Sequence, residues 1–390
     1  MLRGIYPFLL LATLVTAGNA RLLDTMLPIV ADEFSVSIGK AAIAVTAYSV
    51  GYGLFQFVSG PLGDRIGPLR IMFGACVLAT IAMAGTSLVH SLNGLAIGRA
   101  VTGSVASAII PFAMAWIADQ TGGYDRQFKL AQLMSAAIFG AIFGQVVGGY
   151  IGGAVGWRAA LQAMVGLYAV AACGLGASLF SVRNAATGQI NKAHKKWSAA
   201  FGDLIMARNV RFVLACTIGE GAAIFGALAF IPAFLHKDFG LSAAQSGIVM
   251  AAFGAGGLIY VLVVKHLYAH FNRGSVALIG GLACATGYLI LAVHPALWVA
   301  ALALIAAGFG SYMLHNVLQM FATTMAPAVR GTAIALFAAC FFLAQSIGIS
   351  IGSWIVDWIG FEFLLIAAAV LTAIVGVIIS RAALLDGDSA

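Results

Sequence analysis

Charge is what this chain has least of. Only 8% of its 390 residues are Asp, Glu, Lys or Arg, against about 25% in a soluble domain, which excludes a water-soluble globule. The five cysteines, Cys76, Cys173, Cys216, Cys284 and Cys340, all lie inside apolar runs and none has zinc-ligand spacing. Neither a disulfide framework nor a metal site is therefore expected. No Gly-x-x-x-x-Gly-Lys-Ser/Thr loop occurs, since Gly39-Lys40 is followed by Ala41, so the chain is not expected to use ATP. No His-Glu-x-x-His helix occurs either, and no Ser or Asp constellation suggests an intramembrane enzyme. The residues after Ser380 are too few for the output domain of a sensor. The net charge of +7 sits in connecting loops rather than on one face, so no nucleic-acid partner is expected and no cofactor is implied.

What the chain has is apolar length. Runs of about 20 residues, each long enough to cross a bilayer as a helix, follow one another throughout. Twelve spans are expected: Ile5–Ala31, Ala41–Gly60, Leu69–Val89, Leu92–Ala118, Leu130–Val155, Ala159–Val182, Asn209–Leu235, Ala243–His266, Ser275–Val293, Leu297–Met325, Gly331–Trp358 and Phe361–Ser380. Arg3 followed by an apolar run and Ala17-Gly18-Asn19-Ala20 imitates a signal peptide. The apolar character continues to Val30, so a retained first helix is expected. With the N-terminus inside, inner loops hold most of the Lys and Arg residues and outer loops hold only Lys40, Arg158 and Lys237. That asymmetry places both termini in the cytoplasm of a multi-pass protein of the cell membrane, the inner membrane in a bacterium.

The longest polar stretch, Arg183–Arg208, divides the chain into a six-helix bundle over 1–182, a basic linker over 183–208 and a second bundle over 209–390. Lys192-x-x-Lys195-Lys196-Trp197 in the linker reads either as a membrane-surface stretch or as a solvated connection. The bundles look like duplicates. Leu27-Pro28 is matched by Ile231-Pro232. Gln145, Gly148 and Gly152 ahead of Trp157 are matched by Gln345, Gly348 and Gly352 ahead of Trp358. Repeated halves are how many secondary transporters build two bodies that rock about a central site.

Ionisable groups at bilayer depth are costly and therefore functional candidates. Asn19, Arg21 and Asp24 fall in the first span, Arg99 in the fourth and Glu220 in the seventh. Asp24 and Arg99 lie at similar depths and could meet. Arg21 either snorkels outward or is itself the partner of Asp24 at i,i+3. Glu220 and Asp24 are expected to face each other across the bundle interface. Desolvation disfavours a buried carboxylate, which makes Glu220 the best candidate proton acceptor. Tyr312, His315, Asn316 and Gln319 share neighbouring faces of the tenth span, and Tyr48, Tyr52 and Gln56 form a stripe on the second. With Asn19, Glu220 and Phe225 these are the candidate cavity walls. The fifth span reads Gly140-x-x-x-Gly144-Gln145-x-x-Gly148-Gly149-x-x-Gly152, a ladder that lets backbones approach closely.

Gly60–Arg70, Gly-Pro-Leu-Gly-Asp-Arg-Ile-Gly-Pro-Leu-Arg, is expected to be a tight charged turn between the second and third spans, with Pro61 and Pro68 stopping helices. Its Gly-x-x-x-Asp-Arg-x-Gly pattern resembles the signature loop of the major facilitator superfamily. Within that family the chain resembles the proton-linked drug antiporters. Arg99-Ala-Val-Thr-Gly103 matches their helix-four motif, Leu23-Asp24-x-x-Leu27-Pro28 is similar to their helix-one pattern, and the glycine ladder resembles their antiporter motif. The sequence departs from the pattern at Gln145, where proline is usual, at Thr324, where an acid is expected, and at Leu267–Arg273, a copy of the loop without its acid. The resemblance implies an all-α membrane protein of 12 helices in two pseudo-symmetric bundles. It also implies proton-coupled efflux of small amphipathic molecules by a single chain, driven by the proton gradient. Symport or facilitated passage of a sugar, metabolite or lipid is the alternative. Asp24, Glu220, Arg99 and Arg21 would then couple protons. A latch of Gly60, Asp64, Arg65, Gly67, Arg70, Asp119 and Arg126 would dock Asp64 on the start of the eleventh helix, whose N-terminus attracts an anion.

Overall fold

The computed structural model describes residues 2–182, 206–326 and 329–385, with side chains described for these except residues 2, 3, 59–65, 124, 180–182, 330, 331 and 383–385. The linker expected over 183–208 lies outside the described residues apart from its last three. Twelve helices are long and apolar enough to span a membrane. In chain order they are α1 (Gly4–Glu33), α2 (Ile38–Val58), α3 (Pro68–Thr86), α4 (Leu92–Gln120), α5 (Asp125–Val155) and α6 (Trp157–Leu179), then α7 (Arg208–Phe239), α8 (Ala243–His270), α9 (Arg273–Ala292), α10 (Leu297–Thr324), α11 (Thr332–Trp358) and α12 (Phe361–Ala382). Among the described residues there is no strand. Large apolar side chains remain exposed on the flanks, such as Ile81, Val170, Leu262, Leu289 and Val370. Such a surface requires lipid as its solvent.

The halves repeat one packing scheme. Helix α1 packs on α5, α2 on α4 and α3 on α6; correspondingly α7 packs on α11, α8 on α10 and α9 on α12. The halves meet through α2 with α11 and α5 with α8, pairs that exchange under the same pseudo-two-fold relation. Glycine sets the closest approaches. A Cβ at Gly140 would strike the Leu14 carbonyl, at Gly144 the Gly18 carbonyl, and at Gly148 the Leu22 carbonyl. In the second half a Cβ at Gly348 would strike the Ala222 carbonyl. The ladder seen in the sequence is therefore the α1–α5 seam, and its duplicate begins the α7–α11 seam.

Four spans differ from uniform helices; α2 is divided only at Ala42, between Ile38–Ala41 and the helix that starts at Ile43. In α1 the α-helix ends at Arg21, a 3-10 turn covers Asp24–Met26, and helix resumes over Leu27–Glu33 with Pro28 in its first turn. Proline suits a helix start, where its missing N–H costs nothing. In α7 the α-helix Arg208–Glu220 passes into a π-helical turn, Gly221–Phe225, continues over Gly226–Leu228, and starts again at Ile231 ahead of Pro232. In α4 the helix Leu92–Ala106 yields to a second segment, Ile109–Gln120, containing Pro111.

The expected turn at Gly60–Arg70 is corrected. The second helix runs unbroken from Ile43 to Ile66, through Pro61, and the next begins at Pro68. Only Gly67, at φ 90°, breaks the chain, in a conformation that a side chain disfavours. Proline inside a membrane helix removes one hydrogen bond without ending it.

The two halves are closed against each other at the end remote from the termini. There Asp357 of α11 accepts hydrogen bonds from the Ser37 hydroxyl (2.5 Å) and the Gly39 N–H (3.0 Å), and Ser353 donates to the Gly39 carbonyl (2.6 Å). On the other seam Gly149 of α5 lies against the Ala243 backbone of α8. At mid-depth Tyr52 stacks on Phe342 at 3.9 Å.

Candidate functional site

The break in α1 organises the first half. Ending the helix at Arg21 leaves the Asn19 carbonyl without its helical partner. Arg99 fills that gap. Its guanidinium donates to Asn19 Oδ1 (2.6 Å), the Asn19 carbonyl (2.9 Å) and the Ala44 carbonyl (3.4 Å), and lies 4.3 Å from the centre of the Tyr48 ring. It is 1% exposed. A cation at a helix C-terminus is favoured by the backbone dipole.

Asp24, also fully buried, has Arg21 as its ion-pair partner at 3.6 Å. Neither Asp24 oxygen has a hydrogen bond among the described residues. The expected meeting of Asp24 with Arg99 is thus replaced by two separate arrangements, and of the alternatives for Arg21 the i,i+3 pair is the one formed. The reason is the helix break, which presents a backbone carbonyl to Arg99 that an unbroken helix would have occupied.

In the second half Glu220 stands where α-helix becomes π-helix, fully buried, with His315 Nδ1 at 3.1 and 3.2 Å from its two oxygens. The His315 side chain is 27% exposed and packs on Phe341 at 4.5 Å. π-Helical turns concentrate at functional sites. Glu220 and Asp24 each have a partner within their own half, His315 and Arg21 respectively. At the central junction Arg21 makes a polar link between the halves, donating to Gln345 Oε1 at 3.3 Å and covering the Phe225 ring at 4.7 Å.

At this junction is a small cavity of about 30 Å³, lined from α1, α5, α7, α8 and α10 by residues that include Arg21, Gln145, Phe225, Phe253 and Tyr312. Tyr312, His315, Asn316 and Gln319 are all half-buried on one side of α10, as their spacing predicts. Asn316 accepts from the Tyr268 hydroxyl at 3.3 Å. The α2 stripe and Asn19 behave differently. Asn19 is engaged by Arg99, Tyr48 donates to the Thr16 carbonyl (3.4 Å), and Gln56 donates to the Ser107 carbonyl at the break in α4 (3.3 Å). Tyr48, Tyr52 and Gln56 are buried packing groups in this state rather than open cavity wall.

The side chains of Gly60, Asp64, Arg65, Arg330 and Gly331 lie outside the described residues, and with them the expected latch. Of its remaining members, Arg70 and Asp119 are exposed, and Arg126 donates to the Thr121 carbonyl at 2.9 Å. Three contacts escaped sequence reasoning: Glu220 with His315, Arg21 with Gln345, and Asp357 with Ser37. The Gln145/Gln345 repeat was a usable signal, since both glutamines end at the central junction. The other two join residues 95 and 320 positions apart, beyond any local pattern.

Two pseudo-symmetric bundles of membrane helices with ionisable groups buried at their junction define a polytopic membrane transporter architecture. The Major Facilitator Superfamily model matches residues 9–329 and 213–388, and the chain belongs to that family as a membrane-embedded transporter. It is 22% identical over 342 residues to the uncharacterized MFS-type transporter YceJ of Bacillus subtilis, covering 87% of this chain and 86% of the relative. A shorter match, 32% over 72 residues, joins it to the multidrug resistance protein MdtM of Escherichia coli, covering 18% of each. A crystal structure of a mutant of the nucleoside transporter NupG superposes with a TM-score of 0.78 over 98% of this chain and 99% of that one, at 13% identity.

Proposed function

We propose that this protein is a proton-coupled exporter of small amphipathic molecules, working by alternating access in the cell membrane with both termini in the cytoplasm. In that orientation the end held closed by Asp357 faces outward. The observation that carries the reading is the buried Glu220–His315 pair beside the central junction. It is a protonatable carboxylate with a half-exposed histidine through which a proton can reach it. A proton entering from outside neutralises Glu220, or Asp24 once Arg21 moves, as substrate leaves. The neutral cavity then closes outward and reopens inward, and release of the proton readies the site. Coupling requires that protonation change the relative affinity of the two states. The match to MdtM supports export of drug-like molecules. The single chain is taken as the transport unit, needing no cofactor beyond the proton gradient. The Asp64 latch on the start of α11 remains part of this reading for the outward-facing state.

The test is a pH-sensitive dye in proteoliposomes, with Glu220→Gln and Asp24→Asn beside wild type and a panel of lipophilic cations, anions, neutral drugs, sugars and lipids. Proton flux evoked by one class and lost in either variant supports exchange. Substrate passage without proton movement in wild type overturns it. A second reading, proton symport or facilitated passage of a sugar, metabolite or lipid, is favoured by Gln145 standing where the antiporter motif has proline.

A further inference from the structure

The two buried arginines of the first half are used differently. Arg99 makes three hydrogen bonds, two of them short bonds to Asn19 at 2.6 and 2.9 Å, and has an aromatic face beneath it. Arg21 carries five donors, yet among the described residues it makes one hydrogen bond, to Gln345 at 3.3 Å. Its ion pair with Asp24, at 3.6 Å, is longer than a hydrogen bond. Arg21 is 11% exposed and Asp24 is 0% exposed, so the guanidinium stands between the carboxylate and the central cavity. Arg21 is the charged residue in the cavity wall, beside apolar Ile142, Phe225, Leu228 and Phe253 and polar Gln145 and Tyr312.

A largely apolar groove lies on the same two helices, α1 and α5. The groove, of about 400 Å³, is lined by Leu10, Leu11 and Leu14 of α1 and by residues of α5 that include Ser135 and Phe139. Leu14 and Leu10 lie about two and three turns before Arg21, on its own face of the helix. On α5, Ser135 and Phe139 precede Ile142 of the cavity by about two turns and one turn on a shared face. The groove thus lies on the terminal side of Arg21, in helical register with the cavity that its guanidinium lines.

We propose that this site takes an amphipathic organic anion, a carboxylate that docks on Arg21 with its apolar body along α1 and α5. This rests on the transporter reading above and names its substrate class. A carboxylate matches the guanidinium fork in two parallel hydrogen bonds. A cationic substrate would meet Arg21 first, because Asp24 is shielded behind it. The cavity in this closed state holds about one water, so docking accompanies separation of Arg21 from Gln345.

The test is binding of three naphthalene probes to the full chain in nanodiscs, followed by tryptophan fluorescence: 1-naphthoate, 1-naphthamide and 1-naphthylmethylammonium. The expected order places the carboxylate about tenfold or more tighter than the amide, with the ammonium weakest. Arg21→Gln abolishes the preference, Arg21→Lys keeps part of it, and Arg21→Gln with Asp24→Asn guards against a misfolded single variant by removing both members of the pair. Equal or tighter binding of the amide or ammonium, no binding of naphthoate, or an unchanged preference in correctly folded Arg21→Gln overturns the assignment. Naphthoate binding in the expected order without proton-linked transport in proteoliposomes would sink the exporter reading and leave the anion site standing. Proton-linked transport of cations alone would do the reverse.

Discussion

Asp357, near the end of α11, sits across the beginning of α2 and receives both the Ser37 hydroxyl and the Gly39 N–H. Ser37 is itself the N-cap of that helix, accepting from the Lys40 N–H at 3.1 Å. One half of the molecule thus supplies an acid to the positive end of a helix in the other half. That arrangement holds the remote end shut. Asp357→Ala should release it. The groups are exposed, so a contribution of ~1 kcal/mol is expected, about a fivefold shift in the ratio of closed to open. Electron-spin distances between labels at residues 155 and 293 would read it as growth of the longer distance. Gly39→Val should act in the same direction, because its Cβ would strike Ser353 and Asp357.

Glu220→Gln keeps the shape of the pair with His315 and removes its charge. Proton-driven transport should fall at least about tenfold, the scale of one lost charge-assisted interaction, while substrate exchange without a proton gradient continues. Measuring both modes in the same proteoliposomes checks it. Equal loss of both would mean that Glu220 serves the fold or the substrate rather than the proton.

Arg99→Ala should be the most destabilising of the charge removals. It leaves the Asn19 side chain and two backbone carbonyls facing a buried void, at a cost of about 3 kcal/mol or more. Lysine, a point charge with no planar fork, should recover only part of that. Thermal unfolding followed by size-exclusion in detergent is the measurement.

The glycines separate into two groups. Gly144→Val would drive a side chain into the Gly18 backbone and should cost about 1–3 kcal/mol or prevent assembly. A Cβ at Gly74 or Gly166 meets nothing, so alanine there should be neutral or stabilise by roughly 0.5–1 kcal/mol. Expression and melting temperature of the three variants would distinguish them.

The spans were legible because lipid demands long apolar helices, and a window of hydropathy reads that demand directly. The duplication was legible too, down to Gly148 on Leu22 and Gly348 on Ala222, since a glycine that admits a backbone recurs with the seam it serves. The partners of the buried charges were not. Depth along a helix suggested Asp24 with Arg99, but the break after Arg21 redirected Arg99 to a freed carbonyl, and no residue pattern announced that break except Pro28. His315 belongs to Glu220 through the packing of α10 against α7, which composition does not encode. Pro61 misled for the opposite reason: the rule that proline ends helices is weaker in a membrane than in water.

Helix α5 is mated by glycine on both sides, to α1 within its own half and, through Gly149, Gly247 and Gly254, to α8 of the other. Bare backbone against backbone has few interlocking side chains to disengage, so such a seam can roll where a knobbed one would have to climb. On one side the seam is long, and in the proposed cycle α1 and α5 would travel as one plank, carrying Arg21 and Gln145 together. On the other, near the remote end, α5 and α8 would form an axle about which the two planks tilt. The sequence of small residues thus supplies the bearing, and the few large polar ones set beside it are the load that the bearing turns.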